Sequence, residues 1–214
     1  MRYLLLFCVA ALAFTSCRPP VFTPKPIGYY RLELPEHNYV KFDEPGYPYS
    51  FEYPAYGTPF RDTLTLDGRK PENRYWLNID FPEYNGRIYL SYKAIEGKNS
   101  MEKLLGDSHE MSYYHTKKAD YINPNTYVNE NGVMILTYAV GGNAASAYQF
   151  IATDSAKHFM RGSLYFNVTP NADSLRPVNE FFRKDLERLM STLKWNDKST
   201  FLPDFPLNAY FCCL

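Results

Sequence analysis

The side chains able to do chemistry are few, and most are poorly spaced for it. His109 and Glu110 open like a zinc-binding H-E-x-x-H helix, but the next imidazole is His115. That spacing turns about 600° of helix and leaves the rings about 120° apart, so they do not share a face. Metal ligation is not expected there, and no metal or other cofactor is expected of the chain. Asp154, Ser155 and His158 offer acid, hydroxyl and imidazole within one short stretch. A nucleophilic triad needs a base reaching a strained, exposed serine beside an oxyanion hole. Without a G-x-S-x-G pattern, the three are expected to form a polar turn. Gly141-Gly142-Asn143 follows an apolar run, as phosphate loops do, yet neither phosphate-loop nor dinucleotide glycine spacing is present. A tight turn is the expectation for the two glycines. No catalytic residue is assigned, and the chain is not expected to be an enzyme.

One cysteine has a clearer chemistry. After Met1 and Arg2 comes an uncharged apolar run, residues 3–14, ending in Phe14-Thr15-Ser16-Cys17. About a dozen residues are too few to span a bilayer and suit the apolar region of a secretory signal. The small residues before Cys17 make a bacterial lipobox, in which the thiol is acylated with chains such as palmitate and becomes the first residue of the mature protein. Residues 1–16 are then a lipoprotein signal peptide. Several acyl chains, at about 0.8 kcal/mol per buried CH₂, anchor a protein far more firmly than one. The expected location is the cell envelope, lipid-anchored without a transmembrane helix. Arg18 in place of an Asp favours the outer membrane, facing the periplasm. Cys212 and Cys213 are adjacent in sequence. Their Cα separation of about 3.8 Å is below the roughly 4.4 to 6.8 Å of ordinary disulfides, so no disulfide framework is expected.

The elements that must position these residues emerge from composition and period. The 23 Lys+Arg balance 23 Asp+Glu, so the chain lacks the broad cationic field that phosphate backbones need, and no nucleic-acid partner is expected. A 45% hydrophobic content with 20 Tyr and 15 Phe over 214 residues is enough for one well-cored, strand-rich domain. Pro19, Pro20, Pro24 and Pro26 make residues 17–27 the lipidated Cys and an extended tether. Residues 49–53 read as a strand closed by Pro54. Residues 74–81 and 87–93 alternate around 82–86 and read as a hairpin. Met101, Leu104, Leu105 and Met111 have helical spacing within 100–118, with Ser100 as N-cap. Strand signals return at 133–140, 148–153 and 157–168. A final helix over about 174–193 carries the stripe Val178, Phe182, Leu186, Leu189 and Leu193, with Asp173 or Ser174 as its cap and Lys194 at its end. Strands, helix, strands, helix predict an α+β domain over 28–195, a mostly antiparallel sheet flanked by at least two helices. Residues 196–214 form a tail.

The stretch Val140 to Ser146 (VGGNAAS), then Gln149-Phe150, Thr153-Asp154-Ser155, His158-Phe159 and 161–166 (RGSLYF), resembles the gliding motility lipoprotein GldD family of Bacteroidota. Pro24-Lys25-Pro26, Gly28-Tyr29, Arg31-Leu32, 49–53 (YSFEY), 76–79 (WLNI) and 88–93 (IYLSYK) fit the same pattern in order. The resemblance ends near Thr192-Leu193-Lys194-Trp195, and 61–72 and the tail depart from it. The resemblance implies an envelope lipoprotein needed for gliding and the linked type IX secretion system, with other proteins of those systems as partners and no catalytic residues. By looser analogy, Phe51-Glu52-Tyr53-Pro54 and Leu193-Lys194-Trp195 are similar to PsbP/Mog1-like sandwiches. In the same bacterial group, Asp-[Ser/Thr]-aliphatic triplets accept O-glycans, which points to Thr63, Ser155 and Ser174. Gly141, Gly142, Asn143, Ala144, Ala145 and Ser146 are expected to form a partner-contact loop, because so many small residues in a strand-to-strand turn suit close approach. The second reading is a small-ligand or glycan-binding envelope lipoprotein with tyrosines lining a cleft.

Overall fold

Alternation becomes antiparallel sheet throughout the computed structural model, which describes residues 32–64, 68–113 and 119–196. The chain divides between Leu32 and Glu33 into two compact units. All of the first but Leu32 lies outside the described residues, so the architecture is that of the second. Cys17, the tether, His115, Cys212 and Cys213 likewise lie outside.

In order come β1 (Tyr39–Phe42), β2 (Tyr49–Pro54), β3 (Thr58–Arg61), β4 (Leu77–Phe81), β5 (Gly86–Ala94), α1 (Met101–Tyr113), β6 (Ala119–Val128), β7 (Met134–Gly142), β8 (Tyr148–Thr153), β9 (His158–Phe166), α2 (Ala172–Thr192) and β10 (Lys194–Trp195). A seven-stranded sheet runs β3-β4-β5-β9-β8-β7-β6, and a three-stranded one runs β1-β2-β10. Every pairing is antiparallel. The 82–86 connection turns through a short 3₁₀ segment, Pro82–Tyr84, with Asn85 left-handed at φ 48°. The central pairing of β5 with β9 runs unbroken from Gly86↔Phe166 to Ala94↔His158.

Because the pleat alternates, one face of the large sheet carries Ile79, Phe81, Ile88, Leu90, Ile135, Phe150, Met160 and Leu164. These pack with Val178, Phe181, Phe182, Leu186, Leu189 and Met190 of α2 and with Tyr49 and Phe51 of β2. The other face turns Leu136, Tyr138, Ile151 and Phe159 toward Met101 and Leu104 of α1. Each such side chain is worth roughly 1.5 to 3 kcal/mol when fully buried. The protein is α+β, with antiparallel sheets flanked by two helices. Phe150 crosses the ladder to lie over Gly162, its direct partner on β9. A Cβ on Gly162 would overlap that ring.

Some strands have little periodic signal. β6 is mostly exposed and contains Pro124, which only an edge strand tolerates. It occupies the sheet edge beside β7, where proline and polar side chains discourage pairing with another chain. The start of α2 also differs from the sequence expectation. Asn171, not Asp173 or Ser174, is the N-cap, extended at φ −145°, and its side chain accepts the Ser174 N–H at 3.1 Å. Asp173 falls instead in the first turn, where a carboxylate meets the positive helix end. At the far end, Asn129 Nδ2 donates to the carbonyls of Met190 (2.9 Å) and Leu193 (2.8 Å), tying the β6–β7 turn to the last helical carbonyls.

Gly106 stands inside α1 with nothing within 4 Å of where its Cβ would be. Gly106→Ala is therefore expected to stabilise the fold by about 1 kcal/mol, read as a higher urea midpoint. A lower midpoint would mean that the glycine serves a contact rather than a helix.

Candidate functional site

The small-residue loop is shorter than its composition suggests. Gly141 and Gly142 are the last residues of β7, paired with Tyr121 and Ala119 across a bulge in β6. Gly142 has φ +87°, and a Cβ there would come within 2.7 Å of the Asp120 nitrogen. Gly141 lies under the Tyr121 ring, which a Cβ would overlap. The bulged end of β6 thus requires both glycines by close approach. The Val140 N–H closes the loop onto the Ala147 carbonyl at 2.8 Å. Ser146 is fully buried and donates to the Tyr148 carbonyl at 3.2 Å. Asn143 and Ala145 are exposed at the tip, with Ala144 half-buried between them.

Asn143 reaches across the chain. Its Oδ1 accepts the Ala172 N–H at 2.9 Å, satisfying a first-turn donor of α2 that has no helical partner. Between this clasp and the helix start opens a cleft of about 580 Å³, whose lining includes Asp120, Tyr121, Asn143, Asn171, Arg176 and Asn179. Its charges are largely matched. Arg176 pairs with Asp173 at 2.6 Å, and Glu180 pairs with Arg183 at 3.0 Å. The Tyr148 hydroxyl donates to Glu180 at 3.2 Å. Burial, reinforced by the Glu180 charge, pushes that hydroxyl up to about 12.

The other reactive side chains are dispersed. His109 is half-buried and packs on Tyr113 at 4.1 Å, and burial lowers its pKa. Asp154 Oδ1 accepts three backbone N–H groups, from Ala156 (3.0 Å), Lys157 (2.9 Å) and His158 (2.9 Å), and so builds the β8–β9 turn. His158 Nδ1 lies 2.8 Å from the Tyr92 hydroxyl, and its ring stacks on Trp195 at 4.8 Å. Of the three O-glycan candidates, Thr63 and Ser174 are exposed and Ser155 is half-buried at φ 64°. Among the described residues no three His, Cys, Asp or Glu side chains converge as a metal site.

A polar cluster that sequence patterning misses centres on Asp185, whose burial on α2 is complete. Its Oδ1 lies 2.7 Å from His37 Nδ1 and accepts the Tyr39 hydroxyl at 3.0 Å, while Oδ2 accepts the Tyr56 hydroxyl. A carboxylate can only accept, so His37 carries its proton on Nδ1. The His37 ring stacks on Phe181 at 4.3 Å. Burial and then the Asp185 charge push the Tyr39 hydroxyl up to about 12, and burial with the Asp185 hydrogen bond raises Tyr56 further. A signal for this cluster was present: Asp185 falls in the apolar stripe, between Phe182 and Leu189.

These elements define an α+β sandwich whose sequence-marked loop clasps a helix start around a polar cleft. The chain belongs to the gliding motility lipoprotein GldD family, whose model matches residues 20–195. That membership implies membrane anchoring and a cell-envelope location, and no helix among the described residues is long and apolar enough to cross a membrane. No curated protein matches the chain. Among solved structures it is similar to the solution structure of cyanobacterial PsbP (CyanoP) from Synechocystis sp. PCC 6803. The two are 13% identical with a TM-score of 0.44, over 82% of this chain and 99% of that one. The α+β assignment stands on the chain's own sheets and helices.

Proposed function

We propose that the protein is a lipid-anchored component of the gliding apparatus and of the linked type IX secretion system, acting by protein–protein contact at the periplasmic side of the outer membrane. Family membership over residues 20–195 is the observation that carries this reading. Cys17 is the acylated residue, and the four prolines within residues 18–26, whose composition favours about 3.1 Å per residue, suit a spacer between lipid and domain. The exposed tip at Asn143 and Ala145 is the contact. The Asn143 bond to α2 supports that role, because a loop already held in place loses little conformational freedom on docking. The residues with acid–base character serve turns and helix contacts, and no catalytic step is assigned to them.

The test is deletion of the gene in its native host, with type IX cargo in the medium and surface spreading scored separately. Complementation uses wild type and Cys17→Ala. Loss of cargo and spreading, restored by wild type but not by Cys17→Ala, is the expected result. Unchanged secretion and movement in the deletion strain would overturn the reading.

A further inference from the structure

The cleft between the β7–β8 loop and the start of α2 has walls that suit one ligand class. At about 580 Å³ it falls within the usual size of a small-ligand site. Its arginine, Arg176, is bonded to Asp173 at 2.6 Å, so the cation beside the cleft is offset by a carboxylate in an exposed pair. The other hydrogen-bonding groups of the lining include neutral amides and one carboxylate without an ion pair. Asn143 and Asn171 each commit Oδ1 to a backbone N–H of α2, from Ala172 and Ser174 respectively. What both have left for a ligand is the Nδ2 pair of donors. Asp120, which lies against Gly142 beside Asn143, makes no ion pair among the described residues and offers acceptors. Donors and an acceptor lining one recess match hydroxyl groups, which both give and accept.

The aromatic member of the wall makes this more specific. Tyr121 is 56% exposed, so its ring face is open to a ligand. Its ring is seated on Gly141, at a strand end where any larger residue would displace it. An exposed ring fixed in advance offers a flat apolar surface at little ordering cost. The C–H face of a sugar ring stacks on such a surface while its hydroxyl rim reaches the polar walls. We infer that this cleft binds a carbohydrate through a pyranose ring stacked on Tyr121, with its hydroxyls bonded to Asn143, Asn171 and Asp120. The inference goes beyond the proposed protein contact and does not depend on it.

In the envelope such a ring has two sources, peptidoglycan and lipopolysaccharide. Saturation-transfer NMR on the full lipidated protein in detergent micelles can tell them apart. One probe is the disaccharide released from peptidoglycan by a muramidase; the other is the core oligosaccharide released from lipopolysaccharide by mild acid. Transfer to the ring protons of either is expected, and which probe responds names the source. Tyr121→Ala should weaken binding roughly tenfold, equivalent to about 1.4 kcal/mol, whereas Tyr121→Phe should retain it. Asp120→Asn, close to isosteric, should weaken binding several-fold with an unchanged melting temperature. The inference is overturned if neither probe receives transfer, or if binding survives both Tyr121→Ala and Asp120→Asn undiminished. A deletion strain that glides and secretes normally would remove the proposed function without touching this result.

Discussion

Asp185→Ala is expected to lower stability by about 3 to 5 kcal/mol, a large effect for a single substitution. The carboxylate is fully buried and accepts from His37, Tyr39 and Tyr56. Its removal deprives three half-buried donors of their acceptor, each at a cost of up to about 1 to 3 kcal/mol, and leaves a cavity beneath them. Domains of this kind have only about 5 to 15 kcal/mol to lose. Asp185→Asn keeps the volume and one acceptor oxygen, so its urea midpoint should fall between wild type and Asp185→Ala. The tyrosines give an independent readout. Without the carboxylate, Tyr39 should titrate closer to the ordinary tyrosine value of about 10, seen as phenolate absorbance. An alanine variant with the wild-type midpoint would mean that the cluster does not hold the fold.

Alkaline solution should unfold the protein well before pH 12. Tyr49 and Tyr138 are almost wholly buried. Burial pushes the Tyr138 hydroxyl up to about 12 and Tyr49 still higher. In the unfolded chain both titrate near 10. Above pH 10, then, the native state holds protons that the unfolded state has released, and stability must fall as pH rises. The contribution is complete below about pH 10 and is lost as pH climbs toward the folded values. Each tyrosine supplies about 1.4 kcal/mol per pH unit, so the pair takes away about 3 kcal/mol for each unit. Tyr39, Tyr56 and Tyr148 push in the same direction. Urea midpoints measured at intervals from pH 8 to 12 should be level to about 10 and then drop, with phenolate absorbance rising together with loss of structure. Tyr138→Phe should make the drop shallower. A level profile to pH 12 would show that burial does not control these hydroxyls.

Where one side of an element is buried, its sequence carries the period, and the structure agrees to within a few residues: the strand read at 74–81 starts only at Leu77, because Arg74 and Tyr75 lie in a turn. The run at 133–140 became β7, that at 148–153 is β8, and the closing helix keeps its stripe from Val178 to Leu193. Where burial is lacking, so is the signal. β6 lies on the sheet edge with most of its side chains in water, and β3 and β10 are too short for a period to show. The candidate site was legible as a composition, a run of small residues after a strand, but not as a geometry. The bond that shapes it joins Asn143 to Ala172, which no local pattern pairs, and the residue beneath which Gly141 must pass is Tyr121 on a strand without periodicity. Asp185 was legible in principle, since an acid on an apolar stripe demands partners, but those partners lie far away at His37, Tyr39 and Tyr56.

β2 is held along both edges, by β1 on one side and β10 on the other. It is also tied to α2, through the Glu52 N–H to the Thr192 hydroxyl at 2.9 Å and Arg188 to Glu52 at 2.7 Å. β1, by contrast, has one neighbour and the Asp185 bonds at and just ahead of it. Tension arriving along the backbone from the N-terminal side meets the Tyr84 bond to the Glu33 carbonyl and Leu34 packed on the core, then His37 and Tyr39, then a ladder four residues long. If those give way, β2 keeps its second neighbour and its ties to the helix. The released segment lengthens by up to roughly 3.3 to 3.6 Å per residue, and as it leaves Asp185 loses two of its partners and the core loses Phe42. Load arriving from the N-terminal side therefore bears directly on the polar anchor of α2 and on the aromatic core around Phe42.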